Sequence, residues 1–75
     1  MTTFEKLKPI IADKLGVKMD QINLEASFKD NFKADSLDMV NLTMEIEDEF
    51  AIEISDKVAA TLQTVGDVVN YIDKK

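Results

Sequence analysis

The chain has 75 residues and a formal net charge of −6, with nine basic residues, all lysines, and no histidine or cysteine. This length predicts one domain over residues 1–75, near the lower size limit for a hydrophobic core without disulfides or metal. The missing side chains exclude the commonest general base, a thiolate nucleophile and cysteine-ligated metal sites. The net charge argues against nucleic acid and anionic membranes as partners.

The acidic residues are concentrated in one segment. Residues 1–33 hold five acids and six lysines, residues 34–56 hold eight acids and no base, and residues 57–75 hold two acids and three lysines. A field of one sign over one segment predicts a basic partner. No apolar run approaches the ~18 residues of a membrane span and no targeting peptide is visible, so we expect a cytoplasmic protein.

The first predicted helix covers residues 3–15, with Thr2 or Thr3 as its cap and Gly16 at its end. Its apolar residues recur at helical spacing, at Phe4, Leu7, Ile11 and Leu15. Pro9 lies inside this pattern and removes one backbone hydrogen bond. We expect it to kink the helix or to fray its first turn.

Residues 17–34 form a long connection that is rich in apolar side chains. A structureless loop of this length is unusual in a small domain, so we expect it to pack on the core. Short helical turns are predicted after Asp20 and after Ser27, because Ser27 and Asp30 have the spacing of a helix cap.

Three further helices are predicted, over residues 36–50, over residues 56–61 with Ser55 as cap, and after Thr64, which caps the last one. Lys74 and Lys75 suit the C-terminus of the last helix because its dipole is negative there. No segment shows the alternation of a β-strand.

The second helix begins with an unusual arrangement around a serine. Asp35 is the predicted N-cap and Asp38 lies three residues later, as in a capping box. Ser36 then occupies the first helical position, where backbone N–H groups lack partners and the dipole is positive. A phosphate ester on this serine would be stabilised there.

The second helix also has two apolar faces at about 100° per residue. Met39, Leu42, Ile46 and Phe50 form one, and Leu37, Val40 and Met44 form the other. Two opposed faces predict either a helix packed on both sides or an exposed apolar patch. We favour exposure of the second face, since the residues around it are acidic and costly to bury.

Several motifs carry a resemblance to a known family. They are Ala34-Asp35-Ser36-Leu37-Asp38, Leu15-Gly16-Val17, Ala26-Ser27-Phe28, Glu47-Asp48-Glu49-Phe50 and Ile54. With these motifs at these spacings, the whole chain resembles the acyl carrier protein family. Lys33 stands where many members have glycine, and Asn41 stands where an acid is common.

The resemblance implies an all-α four-helix bundle with a short third helix and a long loop between helices one and two. It implies that Ser36 receives 4′-phosphopantetheine from coenzyme A, transferred by a phosphopantetheinyl transferase with magnesium. The protein would then carry the growing acyl chain of fatty-acid biosynthesis as a thioester. It would be a monomeric carrier and not an enzyme, with no catalytic residue and no metal site of its own.

The resemblance also implies two sets of contact residues. Fatty-acid synthesis enzymes and acyltransferases with basic patches would dock on Asp35, Leu37, Asp38, Val40, Met44, Glu45, Glu47 and Asp48. The acyl chain would enter a pocket formed by Ile46, Phe50, Ile54, Ala59 and Leu62. The alternative interpretations are solvated surface charges for the single acids and ordinary core for the apolar set.

Other functions remain open from the sequence. The same chemistry would serve a polyketide or aminoacyl pathway, and an unmodified acidic adaptor would explain the charge but not the cap around Ser36. A hydrolase is disfavoured because no base accompanies the serine. A calcium loop starting at Asp30 lacks its ligands and its glycine, although weak divalent-ion binding to the acidic segment stays open.

Overall fold

The computed structural model describes residues 2–74 and is helical. Its elements are α1 (Thr3–Leu15), a 3₁₀ turn at Met19–Gln21, α2 (Ser36–Phe50), α3 (Asp56–Ala59) and α4 (Val65–Asp73). Apart from an isolated bridge between Ser27 and Thr64, the described residues form no β-structure. The predicted all-α architecture with a short third helix is therefore confirmed. None of the helices in this part of the chain has the length and apolar character that crossing a bilayer requires.

Helix α1 starts at a reciprocal cap. The Thr2 hydroxyl accepts a hydrogen bond from the Glu5 N–H at 3.1 Å, and the Glu5 carboxylate accepts one from the Thr2 N–H at 3.0 Å. Gly16 ends the helix in the left-handed conformation, with φ of 65°. Because the cap closes the first turn, the fraying expected from Pro9 is not observed, and this exposed proline lies within a continuous helix.

The core lies between α1, α2 and α4, and α1 packs against both of the others. Each of these helices contributes side chains with no or almost no exposed surface, namely Leu7, Ile11, Leu42, Ile46, Val65 and Val68. Burying each side chain of this kind contributes about 1.5–3 kcal/mol before the entropy of ordering is counted. These contacts fix which side of α2 faces inward.

The long connection packs on the core, as predicted, and also bonds to the start of α4. Ala26, Phe28 and Phe32 are buried. The Phe28 N–H donates to the Gln63 carbonyl at 3.0 Å, and the Gly66 N–H donates to the Leu24 carbonyl at 2.8 Å. A Cβ on Gly66 would lie 2.9 Å from that same carbonyl oxygen, so this close approach requires glycine.

Helix α3 is shorter than predicted and ends at Ala59 instead of residue 61. The Thr61 N–H donates to the Val58 carbonyl at 2.9 Å, and the Thr61 hydroxyl donates to the same oxygen at 2.7 Å. These i to i+3 bonds tighten the chain after Ala59 into 3₁₀-type turns. Helix α4 has the predicted Thr64 cap, and Lys74 follows its last residue, while Lys75 lies outside the described residues.

Among residues 2–74, two residues other than glycine have positive φ, Lys33 at 56° and Ala51 at 54°. Ala51 ends α2, and the Ile52 N–H donates to the Glu47 carbonyl at 3.2 Å, which is the longer bond of a Schellman motif. Glycine is the residue that adopts this conformation at least cost. Lys33 therefore occupies a position at which a glycine would be conformationally favoured.

We predict that Ala51→Gly stabilises the protein by about 1 kcal/mol, because it removes the strain of a side chain in the left-handed region. Ala60→Gly is the matched control, since Ala60 is also exposed but has right-handed helical backbone angles. That control should lower the free energy of unfolding. Urea denaturation of the two variants measures both effects, and a loss of stability in Ala51→Gly would contradict the prediction.

Candidate functional site

The first turn of α2 is closed by two aspartates. The Asp35 carboxylate accepts a hydrogen bond from the Asp38 N–H at 2.9 Å, and the Asp38 carboxylate accepts one from the Asp35 N–H at 3.2 Å. The Asp35 backbone is extended, and its carbonyl accepts the first helical bond from the Met39 N–H at 3.0 Å. The predicted cap is confirmed, and it places Ser36 at the first position of the helix.

Ser36 differs from the other serines in the hydrogen bonding of its hydroxyl. The chain has three serines. The Ser27 hydroxyl accepts a hydrogen bond from the Asp30 N–H at 3.2 Å, and the Ser55 hydroxyl accepts one from the Val58 N–H at 3.2 Å. Ser36 is exposed, and within residues 2–74 its hydroxyl makes no hydrogen bond. Of the three serine hydroxyls, that of Ser36 is the one that is both exposed and without a hydrogen bond in this range.

The backbone around Ser36 favours a bound phosphate group. The N–H groups of Ser36 and Leu37 belong to the first turn of α2, where no carbonyl of a preceding helical turn is available to accept a hydrogen bond from them. Together with the positive end of the helix dipole, they form the kind of site that binds phosphate at helix N-termini. Over the described range, no cluster of acidic side chains is arranged to hold a metal ion.

The outer face of α2 is apolar and exposed. Leu37 is 68%, Val40 is 50% and Met44 is 58% exposed, whereas Leu42 and Ile46 on the opposite side are fully buried. The predicted exposure of this face is confirmed, and the alternative of a helix packed on both sides is wrong. Apolar side chains in one stripe beside acidic residues have the general composition of a docking surface.

The predicted docking acids of α2 have different surroundings. Asp35 and Asp48 are exposed. The Glu45 carboxylate lies 3.7 Å from the Lys14 ammonium group, so it faces α1. The Glu47 carboxylate accepts a hydrogen bond from the Ile54 N–H at 2.9 Å, so it faces the segment after α2. Helical periodicity predicts the direction of a side chain but not the neighbour that it contacts. The sequence therefore did not indicate Lys14 as the partner of Glu45 or Ile54 as the partner of Glu47.

An open groove of about 960 Å³ lies beside Ser36, between α2, α3 and the long connection. This volume is within the range of small-molecule pockets. Of the predicted pocket residues, Ile54, Ala59 and Leu62 line the groove. Ile46 and Phe50 do not, because Ile46 points into the core and the half-buried Phe50 lies outside the lining.

The groove also has lining residues that the sequence did not assign to it, among them Phe28, Met39 and Thr43. Phe28 belongs to the connection that the sequence predicts to pack on the core, and Met39 belongs to the predicted inward face of the second helix. Neither pattern indicates which cavity these side chains meet. Thr43 is 8% exposed, and its hydroxyl donates to the Val40 carbonyl at 3.0 Å. A polar residue in a helix gives no sequence signal of such burial.

Comparison with known proteins agrees with this geometry. The family described as "Phosphopantetheine attachment site" matches residues 5–72. The acyl carrier protein of Clostridium perfringens strain 13 is 55% identical over 69 residues, which cover 92% of this chain and 91% of that protein. The chain belongs to the acyl carrier protein family. The acyl carrier protein of Clostridium acetobutylicum is also 55% identical, over 92% of this chain and 90% of that protein.

A solved structure of the acyl carrier protein from Enterococcus faecalis has the same fold. It is 36% identical, with a TM-score of 0.81 over 99% of this chain and 98% of that one. As a member of the acyl carrier protein family, this chain has 4′-phosphopantetheine as its prosthetic group. The residues at the start of α2 fit that group, because they combine an exposed hydroxyl and two N–H groups that make no hydrogen bond within the described part of the chain with an adjacent groove.

We predict that Asp35→Ala lowers the free energy of unfolding by about 1 kcal/mol, as loss of an N-cap usually does. Asp35→Asn should lose only a few tenths of a kcal/mol, because its side-chain oxygen can still accept from the Asp38 N–H. Urea denaturation of the two variants measures the difference. An equal loss in both variants would mean that the carboxylate charge, and not the cap hydrogen bond, stabilises the start of α2.

Proposed function

We propose that the chain carries acyl groups in fatty-acid synthesis as thioesters on 4′-phosphopantetheine attached to Ser36, within one acyl-carrier domain over residues 1–75. The observation that carries the assignment to Ser36 is its exposed hydroxyl without a hydrogen-bond partner among the described residues. The prosthetic group supplies a thiol at the end of a flexible arm. A chain with no cysteine can thereby take part in thioester chemistry.

In the loading reaction the chain acts as a substrate. The Ser36 oxygen forms a bond to the phosphorus that bears the pantetheine of coenzyme A, the bond from that phosphorus to the nucleotide part breaks, and a base of the transferase takes the hydroxyl proton. No histidine is present to serve as that base. We therefore assign the base and the magnesium ion to a separate phosphopantetheinyl transferase, and the role of carrier, not catalyst, to this chain.

The residues of the first turn prepare the serine for this reaction. The Asp35–Asp38 cap fixes the backbone at Ser36, so that the hydroxyl projects from a defined helix end. The N–H groups of Ser36 and Leu37 then stabilise the negative charge of the phosphodiester. The cap itself uses both carboxylates as acceptors, which partly offsets their repulsion of the phosphate.

We assign the outer face of α2 to partner docking. Leu37, Val40 and Met44 supply the apolar contact, and Asp35, Asp38 and Asp48 surround it with negative charge. The partners are the transferase, fatty-acid synthesis enzymes and acyltransferases that present lysines or arginines. Complementary charge of this kind chiefly raises the association rate and selects among partners.

We assign the groove beside Ser36 to the acyl chain. Its apolar lining includes Phe28, Met39, Ile54, Ala59 and Leu62. Shielding an acyl chain from water there stabilises the loaded protein, at about 0.8 kcal/mol for each buried methylene. No observation favours a polyketide or aminoacyl cargo, and the predicted cytoplasmic location and monomeric state remain predictions.

The attachment site is tested by loading the protein with coenzyme A, magnesium and a phosphopantetheinyl transferase, followed by intact-mass measurement. The wild-type chain should gain one phosphopantetheinyl group and Ser36→Ala should gain none. Ser55→Ala is the matched control, because Ser55 is also exposed at a helix start but its hydroxyl is engaged. Loading of Ser36→Ala, or failure of Ser55→Ala to load while folded, would contradict the assignment.

The docking face is tested by reversing one exposed charge. Asp48→Lys should lower the kcat/KM of loading by the transferase roughly three- to tenfold at low salt, because a rim charge mainly changes the association rate. The difference should shrink as salt screens the interaction. Asp13→Lys makes the same charge change on the exposed side of α1. If both variants lose the same activity, net charge and not this face attracts the transferase.

A further inference from the structure

Glu47 lies where the docking face of α2 meets the groove. Its carboxylate is half-buried, lines the groove and accepts a hydrogen bond from the Ile54 N–H at 2.9 Å. Its backbone carbonyl accepts a hydrogen bond from the Ile52 N–H at 3.2 Å. One residue at the end of α2 thus binds two N–H groups of the segment that leads to α3.

The same segment is held from its other side by α4. The Tyr71 hydroxyl donates a hydrogen bond to the Glu53 carbonyl at 2.9 Å. The Glu53 carbonyl and the Ile54 N–H belong to one peptide group, so this group is bound at both of its polar atoms, by Tyr71 and by Glu47. A peptide group held in this way has little freedom to rotate.

The consequence of this restraint is the position of Ile54. Its side chain is 7% exposed and forms part of the groove lining. If the peptide group between residues 53 and 54 rotates, the Ile54 side chain moves with it and the apolar wall is lost. The hydrogen bond between Glu47 and the Ile54 N–H therefore restrains the part of the groove wall that Ile54 forms.

We propose that Glu47 is a positioning residue that holds Ile54 as a wall of the acyl groove and thereby sets how firmly the protein retains its cargo. This inference rests on the proposed function, in which the groove shelters the acyl chain. Glu47 acts here as a hydrogen-bond acceptor, so its charge is not required. This role differs from the docking role that the acidic sequence of α2 predicts for the same residue.

Two substitutions separate the two roles. Glu47→Gln keeps an acceptor oxygen at the same distance from the backbone and removes the charge, whereas Glu47→Ala removes both. Glu49→Gln is the matched control for charge loss, because Glu49 is an exposed acid of the same helix end and makes no hydrogen bond to the segment before α3. If Glu47 positions Ile54, only Glu47→Ala changes cargo retention.

The experiment uses the phosphopantetheine-bearing protein with and without an octanoyl group. The first readout is the rise in melting temperature on octanoylation, and the second is the rate at which hydroxylamine cleaves the thioester. Glu47→Ala should reduce the rise by half or more and speed cleavage about fivefold, the factor expected for loss of one hydrogen bond. Glu47→Gln and Glu49→Gln should match the wild-type chain in both readouts.

Comparing each variant with its own unacylated form separates cargo retention from general stability, since a merely structural role would lower both melting temperatures equally. Unchanged retention in Glu47→Ala, or equal losses in Glu47→Gln and Glu47→Ala, would overturn the inference. If Glu47→Ala does not fold, amide hydrogen exchange in the wild-type chain decides. The Ile54 amide should exchange more slowly after octanoylation, and an unchanged rate would overturn the inference.

The outcomes also distinguish this inference from the proposed function. If the wild-type chain loads normally and is stabilised by the octanoyl group, while Glu47→Ala behaves identically, only the role of Glu47 is wrong. If the wild-type chain cannot be loaded at Ser36, the proposed function fails first.

Discussion

The reciprocal hydrogen bonds between Asp35 and Asp38 determine how the serine between them is presented. They satisfy two backbone N–H groups at 2.9 and 3.2 Å and begin α2 at one defined residue. Because the two aspartates perform the capping, the Ser36 hydroxyl is not consumed as a cap, unlike the hydroxyls of Ser27 and Ser55. A serine that caps its helix has one lone pair of its hydroxyl oxygen engaged by a backbone N–H group.

Different sides of helix α2 face the core, the solvent and the groove. Leu42 is fully buried against the core, while Leu37 is 68% exposed to solvent. Between these two sides, Met39 lines the groove. The carboxylates of residues 34–56 therefore have different surroundings. Those of Asp35 and Asp48 are exposed to solvent, whereas that of Glu47 accepts a hydrogen bond from the Ile54 N–H beside the groove.

The sequence predicted what depends on local spacing and missed what depends on distant neighbours. The cap at Asp35 and the exposure of Leu37 follow from residues within a few positions, so both were predicted correctly. The bonds of the long connection to the start of α4 join segments far apart in the chain, and backbone hydrogen bonds leave no side-chain pattern. The partners of Glu45 and Glu47 are set by how α2 packs on α1 and on the segment after α2, so the helical pattern did not indicate them. Phe50, which the sequence assigned to the acyl pocket, does not line the groove.

The central claim is that the hydroxyl freed by the aspartate cap is the attachment point of the prosthetic group. Fragmentation mass spectrometry of peptides from the loaded wild-type chain tests it most directly, since no substitution is involved. The added group should be found on the side chain of Ser36 alone. Its presence on Ser27 or Ser55, whose hydroxyls already accept hydrogen bonds, would contradict the account.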